Sequence, residues 1–196
     1  YLDEEQTSFI TEELKTNKLY DIQDQIIWGV MLDSANRVGA ISKLTLSSLD
    51  LESMMFEDIR EKRGKLVEVV FDEGTKILIG EWLEQRKEID NLEVDSLLIT
   101  KHNGRYRPMP ANTIQSRVKK IGLILGIEDF RSHCIRKTVL NQIYVQTGDL
   151  SLAAEMANHN SVETTRQSYI KPQSKAEVRE KIAKLKEEKK KKTEDK

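Results

Sequence analysis

A single cysteine, Cys134, excludes an internal disulfide framework and fits a reducing, cytoplasmic compartment. The three histidines and that thiol are scattered without metal-ligand spacing, so neither a zinc site nor any other cofactor is expected. No glycine-rich loop of the kind that cradles nucleotide phosphates occurs. No apolar run approaches the length needed to cross a bilayer, and no signal-peptide pattern opens the chain, so no membrane association is expected. Aromatic residues are only 6% of the chain.

What is present is charge. Asp, Glu, Lys and Arg make up 33% of 196 residues, giving a soluble composition with a helical leaning and enough chain for one core. The net charge of −1 is unevenly spread. Residues 1–30 carry seven acids against two bases, whereas Lys101, Arg105, Arg107, Arg117, Lys119 and Lys120 occupy a stretch without one acid. That acid-free stretch is the candidate surface for a polyanion. From Lys171 onward there are eleven bases and six acids, which read equally well as an ordinary basic tail.

Hydrophobic periodicity predicts helices over residues 4–15, with Phe9, Ile10 and Leu14 inward, over 21–35, and over 38–44. The pattern then changes to strands at 54–59 and 66–71 around the turn Lys62-Arg63-Gly64-Lys65. A helix at 75–86 (Ile77, Leu78, Trp82 and Leu83 apolar), a strand at 97–100 and a turn at Asn103-Gly104 follow. Helices are then expected at 111–125, closed by Gly126, at 132–147, closed by Gly148, at 150–157, at 162–170 and at 175–192. The last has an apolar stripe of Val178, Ile182 and Leu185, and the tail beyond it is expected to be disordered.

The most informative stretch begins S-H-C-I-R-K-T and continues as A-N-H-N-S-V-E-T-T-R-Q-S-Y-I. It sets His133 and Arg136 on adjacent turns of one helix, then His159, then Tyr169 ten residues later. Taken singly these are weak signals, since a lone His or Tyr is more often a cap or core residue. As an ordered set they resemble the C-terminal catalytic block of the tyrosine recombinases, the phage-integrase family, with its H-x-L-R-H-T, L-G-H-x-x-x-x-T-T and final Y. Around Arg37, the sequence S-A-N-R-V-G-A-I-S-K-L is similar to the family's first box, T-G-L-R-x-x-E-L-x-x-L. Ala35 stands for the usual Gly, Ala40 for the usual Glu, Lys137 for the second His of H-x-x-R-H, and Asn158 for the Gly before His159.

The resemblance, covering residues 2–172, implies a mainly α fold with a small antiparallel β-sheet, the catalytic domain of a tyrosine recombinase. Residues 173–196 would form a basic helix and tail able to dock on a neighbouring subunit. The chain starts at Tyr1 and is expected to be a trimmed piece whose N-terminal DNA-clamping domain is absent. The implied activity is site-specific cleavage and rejoining of double-stranded DNA through a 3′-phosphotyrosine, by a homo-oligomer that is tetrameric on DNA, without metal or ATP. Tyr169 would be the nucleophile and Arg37 with Arg136 the phosphate clamp. His133 would serve in acid–base contact, His159 as a phosphate donor and Lys62 as the acid for the leaving oxygen, with Lys65 the alternative lysine. Arginine suits the clamp because its planar fork grips two oxygens and stays charged. Lys65, Lys101, Arg105, Arg107, Arg117, Lys119, Lys120 and Lys137 are the expected DNA contacts. Competing readings are a type IB topoisomerase, a DNA-binding module that kept the fold and lost activity, and a helical interaction protein without a DNA role.

Overall fold

In a computed structural model, which describes residues 1–194, the chain is organised around a helix that is apolar on nearly every side. This helix, α2 (Ile22–Ser34), buries Ile26, Ile27, Trp28, Val30 and Met31, as expected of an element enclosed by others rather than lying on a surface. Asp21 and Asp24 form a capping box that fixes where it starts. Around it pack α1 (Glu4–Thr16), α4 (Glu73–Lys87), α5 (Ala111–Gly122) and α6 (Ser132–Thr147). A one-turn helix, α3 (Val38–Ile41), follows α2 directly.

Three antiparallel strands, β1 (Leu49–Asp50), β2 (Met55–Arg60) and β3 (Leu66–Val70), form a sheet in sequence order. Its β2–β3 register shifts between Phe56 and Ile59, where Asp58 adopts a positive φ of 55°. Such a bulge bends the hairpin and re-aims its tip. A second hairpin pairs β4 (Ile99–His102) with β5 (Arg105–Pro108) through the left-handed Asn103-Gly104 turn. The C-terminal part consists of α7 (Leu150–Met156), α8 (Val162–Tyr169) and α9 (Lys175–Glu194).

Several expectations need correction. Phe9 and Ile77 face solvent, whereas Ile10 and Leu14 of α1 and Trp82 of α4 are buried as expected, joined by Ile79. The third helix ends at Ile41 rather than residue 44, and the α5 segment tightens into a 3₁₀ turn at Leu123–Leu125 before Gly126. Gly122 lies inside that helix because a Cβ there would collide with the buried Phe130 ring. The two-residue β1 carries no strand pattern in the sequence. α9 continues through Glu194, past the predicted end at residue 192, and residues 195–196 lie outside the described part.

Candidate active site

The end of α2 places the first candidate residue. Ala35 caps the helix in the left-handed conformation (φ 54°), turning the chain so that Arg37 starts α3 with its side chain 47% exposed. Asn158, after α7, is likewise left-handed (φ 55°) and turns the chain into His159. These two positions are where the family pattern has glycine, and the backbone explains why: left-handed φ costs a side chain that glycine lacks. Asn158 Nδ2 donates to Asn36 Oδ1 at 3.2 Å, tying the two turns together.

Arg136, on α6, lies buried between these turns. It donates to the carbonyl oxygens of Ala35 and Ala157 and to His159 Nε2, the last two at 2.6 and 3.1 Å. Of the five N–H groups on a guanidinium, three are thereby paired. Its Nε is buried with no partner. An unpaired buried donor is costly, and an incoming anion oxygen is the natural acceptor for it. Burial and the nearby Arg37 lower the Arg136 pKa, while Tyr169 and Glu61 oppose that shift.

His159 accepts from Arg136 through Nε2, so Nδ1 carries the proton and donates to the buried Thr165 Oγ1 at 2.7 Å. Thr165 is thus a site residue whose role the sequence signalled only as the T-T of the family pattern. Burial first, then Arg136, Arg37 and Lys65, push the His159 pKa down to about 4, leaving a neutral ring at neutral pH. The exposed His133, in the first turn of α6, is also shifted down, by desolvation and then by Lys137, Arg136 and Arg37. A neutral imidazole there is able to accept a proton.

Tyr169 closes the cluster. Its ring, 6% exposed, stands 5.0 Å from the His133 ring, 5.1 Å from the His159 ring and 5.2 Å from the Arg136 guanidinium carbon. Tyr1 Oη donates to the Tyr169 carbonyl at 3.2 Å and holds that end of α8.

The β2–β3 hairpin approaches the same cluster. Lys65 Nζ donates to Asn158 O at 2.6 Å and Asn160 Oδ1 at 3.1 Å, on either side of His159 in sequence. Lys62 is exposed on the 3₁₀ turn, where its side chain makes no hydrogen bond or ion pair among the described residues. The structure therefore brings Arg37, His133, Arg136, His159, Tyr169 and Lys65 together, and leaves Lys62 outside this set of contacts. Glu61, which the sequence reading passed over, faces Arg37 at 3.5 Å.

The expected polyanion-binding bases divide. Arg105 and Arg107 are exposed on one face of the β4–β5 hairpin, and Lys101 lies over the Tyr106 ring, 5.4 Å from its centre, on the other face. Lys119 is exposed on α5, and Lys137 is half-buried beside His133. Lys120 instead donates to the Leu19 carbonyl and lies over Tyr20. Arg117 is bound by Asp21 and Asp24 at 2.8 and 3.0 Å. Burial works against its charge, and the two carboxylates outweigh burial and raise its pKa. Arg117 joins α5 to α2 and is not a free surface cation.

Two cationic guanidiniums, two neutral imidazoles, a phenol and an ammonium around an unpaired buried donor form a site suited to a phosphate group. Residues 1–176 match the phage integrase family. The chain belongs to that family. Tyrosine recombinase XerA of Saccharolobus solfataricus is 24% identical over 164 residues, 84% of this chain and 50% of that protein. Tyrosine recombinase XerC of Corynebacterium efficiens is 24% identical over 143 residues, covering 73% of this chain and 44% of its own length. This phage-integrase chain spans about half the length of those curated relatives. Its fold matches the crystal structure of XerA recombinase with a TM-score of 0.77 at 23% identity, over 94% of this chain and 64% of that one. It also matches XerH site-specific recombinase bound to difH substrate, TM-score 0.72 at 20% identity, over 93% and 53% respectively. The fold is that of a tyrosine recombinase catalytic domain, mainly helical with small antiparallel sheets.

Proposed function

We propose that this chain is the catalytic part of a site-specific DNA recombinase that breaks and rejoins double-stranded DNA through a 3′-phosphotyrosine. The observation that carries the reading is Tyr169, held within about 5 Å of His133, His159 and Arg136 beside the unpaired Arg136 Nε. The scissile phosphate would lie against Arg37 and Arg136, whose charges stabilise the negative charge developing on its non-bridging oxygens. Tyr169 Oη attacks phosphorus and the bond to the 5′-oxygen breaks. Neutral His133 takes the phenol proton, and the leaving 5′-oxygen receives one from a lysine. We assign that lysine as Lys65 rather than Lys62, because Lys65 already reaches the residues flanking His159. The products are a phosphotyrosyl bond and a free 5′-hydroxyl, and reversal with another strand's hydroxyl rejoins the DNA.

Arg105, Arg107, Lys119 and Lys137 are the bases left free to track the DNA backbone. A homo-oligomer, tetrameric on DNA, fits the exposed Val178, Ile182 and Leu185 stripe of α9, which would dock on a neighbouring subunit. The DNA substrate and the half-buried free thiol of Cys134 both agree with a cytoplasmic setting.

The test is covalent capture. Wild-type chain is incubated with nicked duplexes from a random-sequence pool, and denaturant-resistant adducts are recovered and sequenced. An adduct that disappears in Tyr169→Phe, with DNA retention unchanged, supports the reading. An adduct that survives this substitution removes Tyr169 as the nucleophile, and retention of DNA without any adduct favours a silent binding module.

A further inference from the structure

Glu61 is the acid nearest the clamp, and it is placed unusually for a surface residue. Its side chain is only 10% exposed, although it sits where β2 gives way to the exposed Lys62-Arg63-Gly64 turn. One oxygen, Oε2, lies 3.5 Å from Arg37 Nη1, and the other, Oε1, is buried with no hydrogen-bond partner. A carboxylate nine-tenths buried with an orphaned oxygen requires a compensating cation, and the guanidiniums of Arg37 and Arg136 are the charges it faces.

The two arginines of the clamp are held very differently. Arg136 is fixed by two backbone carbonyls and a histidine. Arg37 is half exposed, and the contact with Glu61 is the hydrogen bond its side chain makes among the described residues. A long, flexible side chain must lose its rotamer freedom to serve as a clamp, and a partner that fixes one edge of the guanidinium leaves the other edge aimed.

We propose that Glu61 is a positioning residue for the phosphoryl-transfer step, holding Arg37 by one edge so that its remaining donors meet the scissile phosphate. This rests on the phosphotyrosine reading above. Glu61 is also part of the lysine hairpin: its N–H donates to the Lys65 carbonyl at 2.7 Å, and Gly64 donates back to its carbonyl at 3.2 Å. Next to it, the Arg60 carbonyl accepts from Lys43 Nζ at 2.7 Å. One residue thereby links the arginine of α3 with the turn that presents Lys65. Ala40, three residues after Arg37, offers only a methyl, and the carboxylate beside this arginine comes from the hairpin.

The opposite role, a stand-in for phosphate that has to be displaced, fits the geometry poorly. A carboxylate in the phosphate position would accept from Arg136 Nε, yet that donor and Glu61 Oε1 are both unpaired and so do not meet. Glu61 stands beside the anion position, not in it.

The experiment compares Glu61→Gln with wild type on a nicked duplex recovered by covalent capture, reading DNA affinity and the single-turnover rate of adduct formation separately. Gln keeps the shape and removes the charge. Positioning predicts a rate roughly 10- to 100-fold lower, the worth of a charge-assisted hydrogen bond, with affinity unchanged or slightly tighter because a repelling charge has gone. In an Arg37→Lys background the same substitution should have almost no further effect on rate. A faster rate for Glu61→Gln, an unchanged rate, or an equal fold loss in the Arg37→Lys background overturns the proposal. A readout without DNA separates this from failure of the phosphotyrosine reading: ¹⁵N relaxation of the arginine Nε–H groups in the whole chain. Arg37 should gain nanosecond mobility in Glu61→Gln, and Glu61→Asp should do the same, while Arg136 stays rigid. Equal Arg37 mobility in wild type and both variants overturns the proposal, whatever the chain does to DNA.

Discussion

His159 Nε2 lies 3.1 Å from the Arg136 guanidinium and therefore accepts from it, which holds the imidazole in its neutral form. To donate to a phosphate through that same nitrogen, the ring must take up a second proton or move the first from Nδ1. Were His159 to donate to the scissile phosphate in the proposed reaction, it would have to give up the contact with Arg136, and anion binding would be linked to its protonation.

A pH dependence follows. The His159 pKa falls from 6.5 in the unfolded chain to about 4 in the fold, so the unfolded state binds more protons between these values. The stability contribution is complete above pH 6.5 and is lost as pH falls toward 4. Because the ring is partly exposed and solvent-screened, the loss is about 1 kcal/mol, well under the full linkage value. Denaturant melts at pH 7 and pH 4.5 should show this slope, and His159→Gln should flatten it. DNA affinity at constant ionic strength should increase over the same interval in the wild type.

The lysine assignment is separable by leaving-group chemistry. Lys65→Ala should slow adduct formation about 100-fold or more, within the range for loss of a general acid, and Lys62→Ala much less. On DNA whose 5′-bridging oxygen is replaced by sulfur, which leaves without a proton, Lys65→Ala should regain most of the rate. A defect that persists on the sulfur substrate would assign Lys65 to phosphate binding instead.

Arg117 and the β4–β5 arginines should behave oppositely. Arg117→Ala leaves the buried Asp24 carboxylate with less compensation and should cost about 1–3 kcal/mol in urea unfolding. Arg105→Ala and Arg107→Ala should leave stability within about 0.5 kcal/mol. Each should instead lower DNA affinity and reduce the slope of log affinity against log salt by about 1.

Ala35→Gly should stabilise the domain by about 0.5–1 kcal/mol, since φ 54° is strained for alanine and free for glycine. Thermal melts would show it as a rise of about 1–4 °C. An unchanged or lower melting temperature would mean the turn is not strained.

Much of the architecture was legible because the elements carry strong periodicity and sharp punctuation. Gly148 and Gly126 close their helices at the expected places, both with positive φ, and Ser132–Thr147 has the predicted bounds. Phe9 faces solvent against expectation because one apolar residue on a helix edge satisfies a periodic pattern without being covered. At the site, Arg37, His133, Arg136, His159 and Tyr169 could be read as an ordered set because their order and spacing resemble the family's motifs. The choice between Lys62 and Lys65 could not, because it depends on the bend of the β2–β3 hairpin, created by a bulge that no local sequence rule places. Arg117 was misjudged for a related reason: its partners, Asp21 and Asp24, are nearly a hundred residues away, and only the packing of α5 on α2 makes them neighbours. Glu61 carried no motif at all.

Arg136 is mounted on carbonyl oxygens, those of Ala35 and Ala157. Backbone acceptors are blind to side-chain identity, so any residue that tolerates the left-handed turn at 35 or 158 preserves the mount. Ala35 and Asn158 can therefore stand at glycine positions without touching the support of the guanidinium. The fingerprint departs from the family pattern at the turns, and the anchorage of Arg136 does not depend on those side chains.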